Sequence, residues 1–224
     1  AMTSINRKWE NWFELQTERR KKWVEDWENH LLKEEIEDSK SNRKMHPLQL
    51  GVDIISEMND EDWLVFDGGN THFWNEIAVN ISGWRGKKLG GIMHPGNYSL
   101  LGVGISFGIS AKAAYPDKNV VVISGDGAFL SGGLSIESAF QEGLPIIVVI
   151  DNNGGLDCIS QQQERLFANG QHYATDFRDI PFHTLFEGLG GYGELVTTRS
   201  ELKPALARAI KSGKTACLNV KCRG

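Results

Sequence analysis

No stretch of the 224-residue sequence holds the roughly 18 consecutive apolar residues that a membrane-spanning helix requires, and the amino end is charged rather than built like a secretion signal. No membrane partner is expected, and the cytoplasm is the expected location. Positive charge is not in excess either. The 24 Lys and Arg against 29 Asp and Glu leave a formal net charge of −5, so nothing favours nucleic acid or anionic lipid as a partner. Cysteine is scarce: Cys158, Cys217 and Cys222 have neither zinc-type spacing nor an even count, and are read as reduced thiols on or beside strands. A Walker-type phosphate loop is missing, which excludes ordinary ATP or GTP hydrolysis. The six histidines show no HExxH or paired-ligand spacing, which argues against a zinc site.

Glycine is what the sequence has in excess, with 25 residues concentrated between Gly68 and Gly155. Dense glycine suggests backbone that must approach a ligand closely. Residues up to about 44 differ from all that follow. Lys8 to Glu37 is rich in Glu, Lys and Arg, lacks Gly and Pro, and carries Trp9, Trp12, Trp23 and Trp27 at helical spacing, so residues 1–44 are expected to form a charged helical connector or docking arm.

From residue 45 to 224 the pattern is α/β. Helices are expected over Pro47–Met58, Leu101–Tyr115, Leu130–Glu142, Pro181–Leu189 and Ser200–Lys211. Strands are expected over Trp63–Phe66, Asn119–Ser124, Leu144–Ile150, Glu194–Thr198 and Thr215–Lys221. Two continuous β-branched runs separated by a helix imply a parallel βαβ unit, and the sum is a doubly wound, mainly parallel sheet of five to six strands with helices on both faces. Ligands of such sheets sit beyond the carboxyl ends of the strands. Three loops lie there: Asp67-Gly-Gly-Asn-Thr71, Ser124-Gly-Asp-Gly-Ala-Phe129 and Asp151-Asn-Asn-Gly-Gly155. A carboxylate on the second and carboxamides on the third form an oxygen-donor set of the kind Mg²⁺ prefers. Glycines flanking Asp126 let the N–H groups of Gly127 and Ala128 approach a phosphate where a helix begins.

Gly125-Asp126-Gly127, then a helix and a strand, then Asn152-Asn153, resembles the thiamine-diphosphate fingerprint of the acetolactate synthase, 2-hydroxyacyl-CoA lyase and oxalyl-CoA decarboxylase group. The resemblance runs from about Met45 to Lys221 and covers the diphosphate-binding domain of those enzymes. It implies two cofactors, thiamine diphosphate and Mg²⁺. Asp126, Asn153 and the Gly155 carbonyl would ligate the metal; Gly125, Gly127 and Ala128, with Asn70 and Thr71, would hold the diphosphate. Leu101 falls where the family places the apolar wedge that bends the cofactor, and the Ser99 carbonyl where it accepts from the aminopyrimidine. The bend brings the cofactor's own imino nitrogen to the carbon that must lose a proton, leaving the protein to position and polarise. His94 and His72 are candidate catalytic groups, each with a plain structural alternative.

The family also uses a glutamate on a separate pyrimidine-binding domain, for which this sequence offers no counterpart. The resemblance therefore implies a second, large-subunit chain carrying that domain, an active site at the interface, and a heteromer, expected to be a heterotetramer. The Asn152-Asn-Gly-Gly155 wording is closer to the CoA-substrate branch than to acetolactate synthase, although Asp157 stands where that branch commonly has tyrosine. The expected activity is C–C cleavage or ligation by a lyase, decarboxylase or carboligase acting on a small 2-hydroxyacyl or 2-oxoacyl substrate, which can be a CoA thioester. Acetolactate-synthase-like or 2-oxoacid decarboxylase activity is the alternative. Gly102-Val-Gly-Ile-Ser-Phe-Gly108 also imitates a dinucleotide fingerprint, which leaves an NAD(P)-dependent oxidoreductase as a further alternative. The motif does not follow a strand directly, as that fingerprint should. A non-catalytic assembly subunit is the remaining one, disfavoured by the intact Asp126, Asn153 and flanking glycines.

Overall fold

The computed structural model describes residues 2–41, 43–167 and 169–224, and the chain forms two compact units, residues 1–42 and 43–224. The first is a single helix, α1 (Met2–Ser41). Helical spacing brings its aromatic rings into edge contact, with centroids 6.0 Å apart for Trp9 and Trp12 and 6.2 Å for Trp23 and Trp27.

The second unit opens with α2 (Pro47–Glu57). His46 caps it through Nδ1, which accepts the Leu48 N–H at 3.0 Å, while Gln49 Oε1 accepts the His46 N–H at 2.9 Å and Pro47 takes the first helical position. Six strands follow: β1 (Trp63–Phe66), β2 (Gly91–Met93), β3 (Val120–Gly125), β4 (Ile147–Asn152), β5 (Tyr192–Val196) and β6 (Ala216–Lys221). They lie in the order β2-β1-β3-β4-β6-β5, and every pairing is parallel. Between them run α3 (Asn70–Trp84), α4 (Gly104–Ala114), α5 (Asp126–Gly132), α6 (Ile136–Gln141), α7 (Asp157–Leu166), α8 (Phe182–Gly188) and α9 (Arg199–Ser212).

Strand alternation divides the apolar residues between two layers. Val65, Val122, Val148, Ile150 and Cys217 join a core with Ile105, Phe129, Ile136, Phe182 and Phe186 from α4, α5, α6 and α8. Leu64, Phe66, Val121, Ile123, Val149 and Leu218, alternating with them and also buried, point to the opposite face, where α2 packs on α3 and α9. The sheet is thus covered on both sides, as its continuous β-branched runs required. No helix of the described residues is long and apolar enough to cross a membrane.

Several expected boundaries shift, for physical reasons. The helix expected from Leu130 begins at Asp126 instead, directly after β3, with the Asp126 carboxylate in its first turn accepting the Gly127 N–H at 2.7 Å. It does not run through to Glu142: a 3₁₀ turn at Gly133–Ser135 separates α5 from α6. Gly132 there passes so close to Gly102 that a β-carbon would lie 2.0 Å from the Gly102 carbonyl oxygen. The helix expected from Leu101 starts at Gly104. Gly102 sits at φ +85°, outside helical space. The three-residue edge strand β2 and the polar helix α7, which has no buried residue, were not anticipated.

Candidate functional site

The chain leaves β1 outward to β2 and returns to β3 on the other side of β1, so the strand order reverses between β1 and β3. Crevices at such reversals are where doubly wound sheets bind ligands. Here the loops after β1, β3 and β4 enclose a cavity of about 280 Å³.

Asp67, fully buried at the end of β1, organises one wall. Its Oδ1 accepts from the N–H groups of Gly68 (2.9 Å), Gly102 (2.9 Å) and Val103 (3.3 Å). Its Oδ2 accepts from the Gly104 N–H (3.1 Å) and the Ser124 hydroxyl (3.1 Å). One side chain thereby caps α4, anchors the 99–103 loop and ties it to the end of β3. The contact is tight: a β-carbon on Gly68 would lie 2.1 Å from the Ser99 carbonyl oxygen. Ser99 itself takes a left-handed backbone, φ +47°, and its Oγ accepts the Gly69 N–H at 2.8 Å. That conformation is uncommon for a residue with a side chain and is maintained by these contacts. Asp67→Asn replaces an acceptor-only group with one that turns an NH₂ toward N–H donors. It is expected to lower the unfolding free energy by about 2–3 kcal/mol, measurable by urea denaturation. An unchanged midpoint would show that the loop does not depend on this carboxylate.

Asp126, at the junction of β3 and α5, is the centre of the second wall. Besides the Gly127 N–H on Oδ1, its Oδ2 accepts from Gly154 N–H at 2.7 Å and Gly155 N–H at 3.1 Å, so one carboxylate pins the loop after β4 to the loop after β3. A carboxylate has about four acceptor positions, and these bonds use three. Burial raises the Asp126 pKa above the ordinary range, opposed by those backbone donors. Asn153 Oδ1 accepts the Gly155 N–H at 3.1 Å. Asp151, beside Gly125 in the β3–β4 register, is buried; Oδ2 lies 3.4 Å from the Thr71 hydroxyl and Oδ1 has no hydrogen-bond partner. Burial is the main reason its pKa is pushed up to about 7.

The structure brings the sequence-derived residues together. Asn70, Thr71, Ser99, Leu101, Gly125, Asp126, Gly127, Ala128, Asn153 and Gly155 all line the one cavity, with Pro47, Leu156 and Ile159 adding apolar surface. Several of their polar groups are otherwise engaged, among them the Gly127 N–H on Asp126, the Thr71 hydroxyl beside Asp151, and the Asn70 amide, which donates to Asp157 across the cavity. His72 and His94 do not line it. They lie beside each other, ring centroids 5.0 Å apart, with His72 Nδ1 3.4 Å from the Ser99 hydroxyl. Sequence reasoning missed Asp67 and Asp151. The available signal was an acid ending an apolar strand immediately before the Gly-Gly or Asn-Asn turn.

The lining contains Asp126, Asp151 and Asp157 but no Lys, Arg or His among the described residues. Such a cavity repels an anion on its own and accepts a hard dication, whose charge would offset the buried carboxylates and draw in phosphate oxygens. The oxygen donors at the ends of β3 and β4, a carboxylate, a carboxamide and peptide carbonyls, suit Mg²⁺; the Cys158 thiol also lines the cavity, with Gln162 Nε2 3.7 Å from its sulfur.

Fold and site together define a domain of the doubly wound α/β class with a carboxylate-lined cavity beyond the carboxyl ends of β1, β3 and β4. Residues 68–220 match the family described as thiamine pyrophosphate enzyme, C-terminal TPP binding domain, and the chain belongs to that family; its cofactor is thiamine diphosphate. Among curated relatives, an acetolactate synthase large subunit (IlvG) of Mycobacterium tuberculosis is 29% identical over 177 residues, 79% of this chain and 31% of that protein. A 2-hydroxyacyl-CoA lyase of Oryza sativa subsp. japonica is 30% identical over 181 residues, 78% of this chain and 30% of that protein. The fold superposes on the thiamine diphosphate-dependent 4-hydroxybenzoylformate decarboxylase of Rhodococcus jostii RHA1 with a TM-score of 0.67, at 24% identity, over 80% of this chain and 33% of that one. The chain spans about a third of the length of these relatives.

Proposed function

We propose that this chain is the diphosphate-binding subunit of a heteromeric, thiamine-diphosphate- and Mg²⁺-dependent C–C lyase, decarboxylase or carboligase, most like 2-hydroxyacyl-CoA lyase. The observation that carries the proposal is the cavity of three carboxylates without a base, framed by the same glycines and amides that form the family fingerprint. Asp126, Asn153 and the Gly155 carbonyl would hold Mg²⁺. Gly125, Gly127, Ala128, Asn70 and Thr71 would receive the diphosphate, which requires the Asn70 amide to leave Asp157. Leu101, 37% exposed at the cavity wall, would support the bent cofactor, and the Ser99 carbonyl, positioned by Asp67 and Gly68, would accept its amino group. When bound, thiamine diphosphate supplies a carbon nucleophile that adds to a carbonyl and stores the electron pair released by C–C cleavage.

The pyrimidine-binding glutamate would come from a partner domain or chain, with residues 1–44 as the connector or docking arm. Support comes from the share of the relatives' length that this chain spans. Reconstitution tests the reading. The chain with thiamine diphosphate and Mg²⁺ is expected to turn over no 2-hydroxyacyl-CoA until a chain bearing a pyrimidine-binding domain is added, with the complex sized by light scattering. Full activity of the chain as a homo-oligomer would remove the two-chain reading. Turnover of free 2-oxoacids with none of CoA thioesters would move the assignment to the acetolactate synthase or decarboxylase branch.

A further inference from the structure

The helix α3 and the turn after β2 bring together three metal-ligating side chains that the cofactor cavity does not use. His72 and Glu76 are one helical turn apart on α3, with His72 Nε2 3.0 Å from Glu76 Oε1. His94 enters from the turn after β2. A ligand atom from each of the three lies within 4.8 Å of the other two. Sequence spacing argued against such a cluster because no histidine pair stands at ligand spacing; the third ligand arrives only through the β1–β2 pairing.

We propose that His72, Glu76 and His94 form a second divalent-metal site, of the two-imidazole, one-carboxylate type that suits Zn²⁺ or Co²⁺. The rings are already positioned. His94 stacks on Phe66 with centroids 4.9 Å apart and planes within 5°, and His72 packs on the same ring at 5.5 Å. His72 has the outer contact typical of a metal ligand: with Nε2 toward the metal, Nδ1–H donates to the Ser99 hydroxyl, 3.4 Å away. Glu76 is 53% exposed at its side chain and provides the entry path. Ligand atoms around a tetrahedral zinc lie roughly 3.4 Å apart, so the His72–Glu76 pair needs little adjustment and the widest separation closes by up to about 1.4 Å. Loading His94 through Nε2 would place its proton on Nδ1, which now accepts the Gly96 N–H at 3.2 Å, so that amide contact must yield. Filled, the site cross-links α3 to the segment leading into Ser99, and so steadies one rim of the cofactor cavity. The simpler arrangement, a direct His72–Glu76 ion pair with no metal, makes opposite predictions.

The site stands apart from the thiamine reading: two of its three ligands are imidazoles where the cavity lining has no histidine among the described residues, and Mg²⁺ does not compete for it. Co²⁺ is the probe, added to chelator-treated full-length chain in excess Mg²⁺. One Co²⁺ per chain is expected, with visible d–d absorption and no thiolate charge-transfer band. His94→Ala should abolish it, and Glu76→Gln, altered at an exposed position with little risk to folding, should weaken it at least about tenfold. Asp126→Ala should leave it intact, which separates failure here from failure of the cofactor site. No uptake above Mg²⁺ competition, a thiolate band, or uptake undiminished in both the His94 and Glu76 variants would each overturn the assignment.

Discussion

Asp126→Ala is expected to reduce Mg²⁺-dependent binding of thiamine diphosphate by at least roughly 100-fold, measured by titration calorimetry in excess Mg²⁺, while the chain remains folded. Loss of even an outer-sphere partner of a metal typically costs 10–100-fold, and Asp126 both joins the loops after β3 and β4 and offers a carboxylate to a cation. The cofactor-free protein should lose a smaller amount, about 1–3 kcal/mol, because the Gly127, Gly154 and Gly155 N–H groups lose their acceptor. Asp126→Asn separates the two effects. The amide is nearly isosteric and can still accept from the loop after β4, so the fold should be largely retained while cation affinity falls. Equal cofactor affinity in the wild type and both variants would remove Asp126 from the metal site.

The sequence reveals these features unevenly, and the reasons are physical. The central strands β1, β3 and β4 stand out because a strand buried on both faces must be a continuous apolar run, and Trp63–Phe66 is legible to the residue. An edge strand needs no such run, and Gly91–Met93 leaves almost no trace. The helix α7 has no fully buried residue, and its Gln-rich centre leaves only Ile159 and Leu166 to mark an apolar face, too few to announce a helix. At the site, Asp126 and Asn153 are legible because glycines frame them in a recognisable order. Asp67 is not, because its partners at Gly102, Gly104 and Ser124 lie 35 to 57 residues away and meet it only in the folded sheet. His72 and His94 stand out singly, as candidate catalytic groups, but their meeting does not. Their shared stacking surface, Phe66, belongs to a strand read only as core.

Asp151 carries the other large expected effect, in the metal- and cofactor-free protein. Its carboxyl is buried with a pKa of about 7, raised chiefly by burial and further by Asp126 and Asp157, and lowered in part by the Cys222 thiol and the Thr71 hydroxyl. The unfolded chain releases this proton near 3.8, so between about pH 4 and pH 7 the folded state holds a proton that the unfolded state has lost. Stability must therefore fall as pH rises through that window and level off above it, the reverse of a salt-bridged aspartate. The difference between the two pKa values corresponds to on the order of 4 kcal/mol at pH 8. Asp151→Asn, uncharged at every pH, should remove the Asp151 share of that descent, leaving that of Asp126, and unfold at a higher urea concentration than wild type at pH 8, with the two proteins converging near pH 4. Parallel stability curves would mean that Asp151 is not desolvated as the fold places it. A dication bound at Asp126 favours the ionised form of its neighbour, so Mg²⁺ with thiamine diphosphate should flatten the wild-type descent and change the variant's less. The carboxylate that weakens the cofactor-free fold at neutral pH thus favours the loaded one.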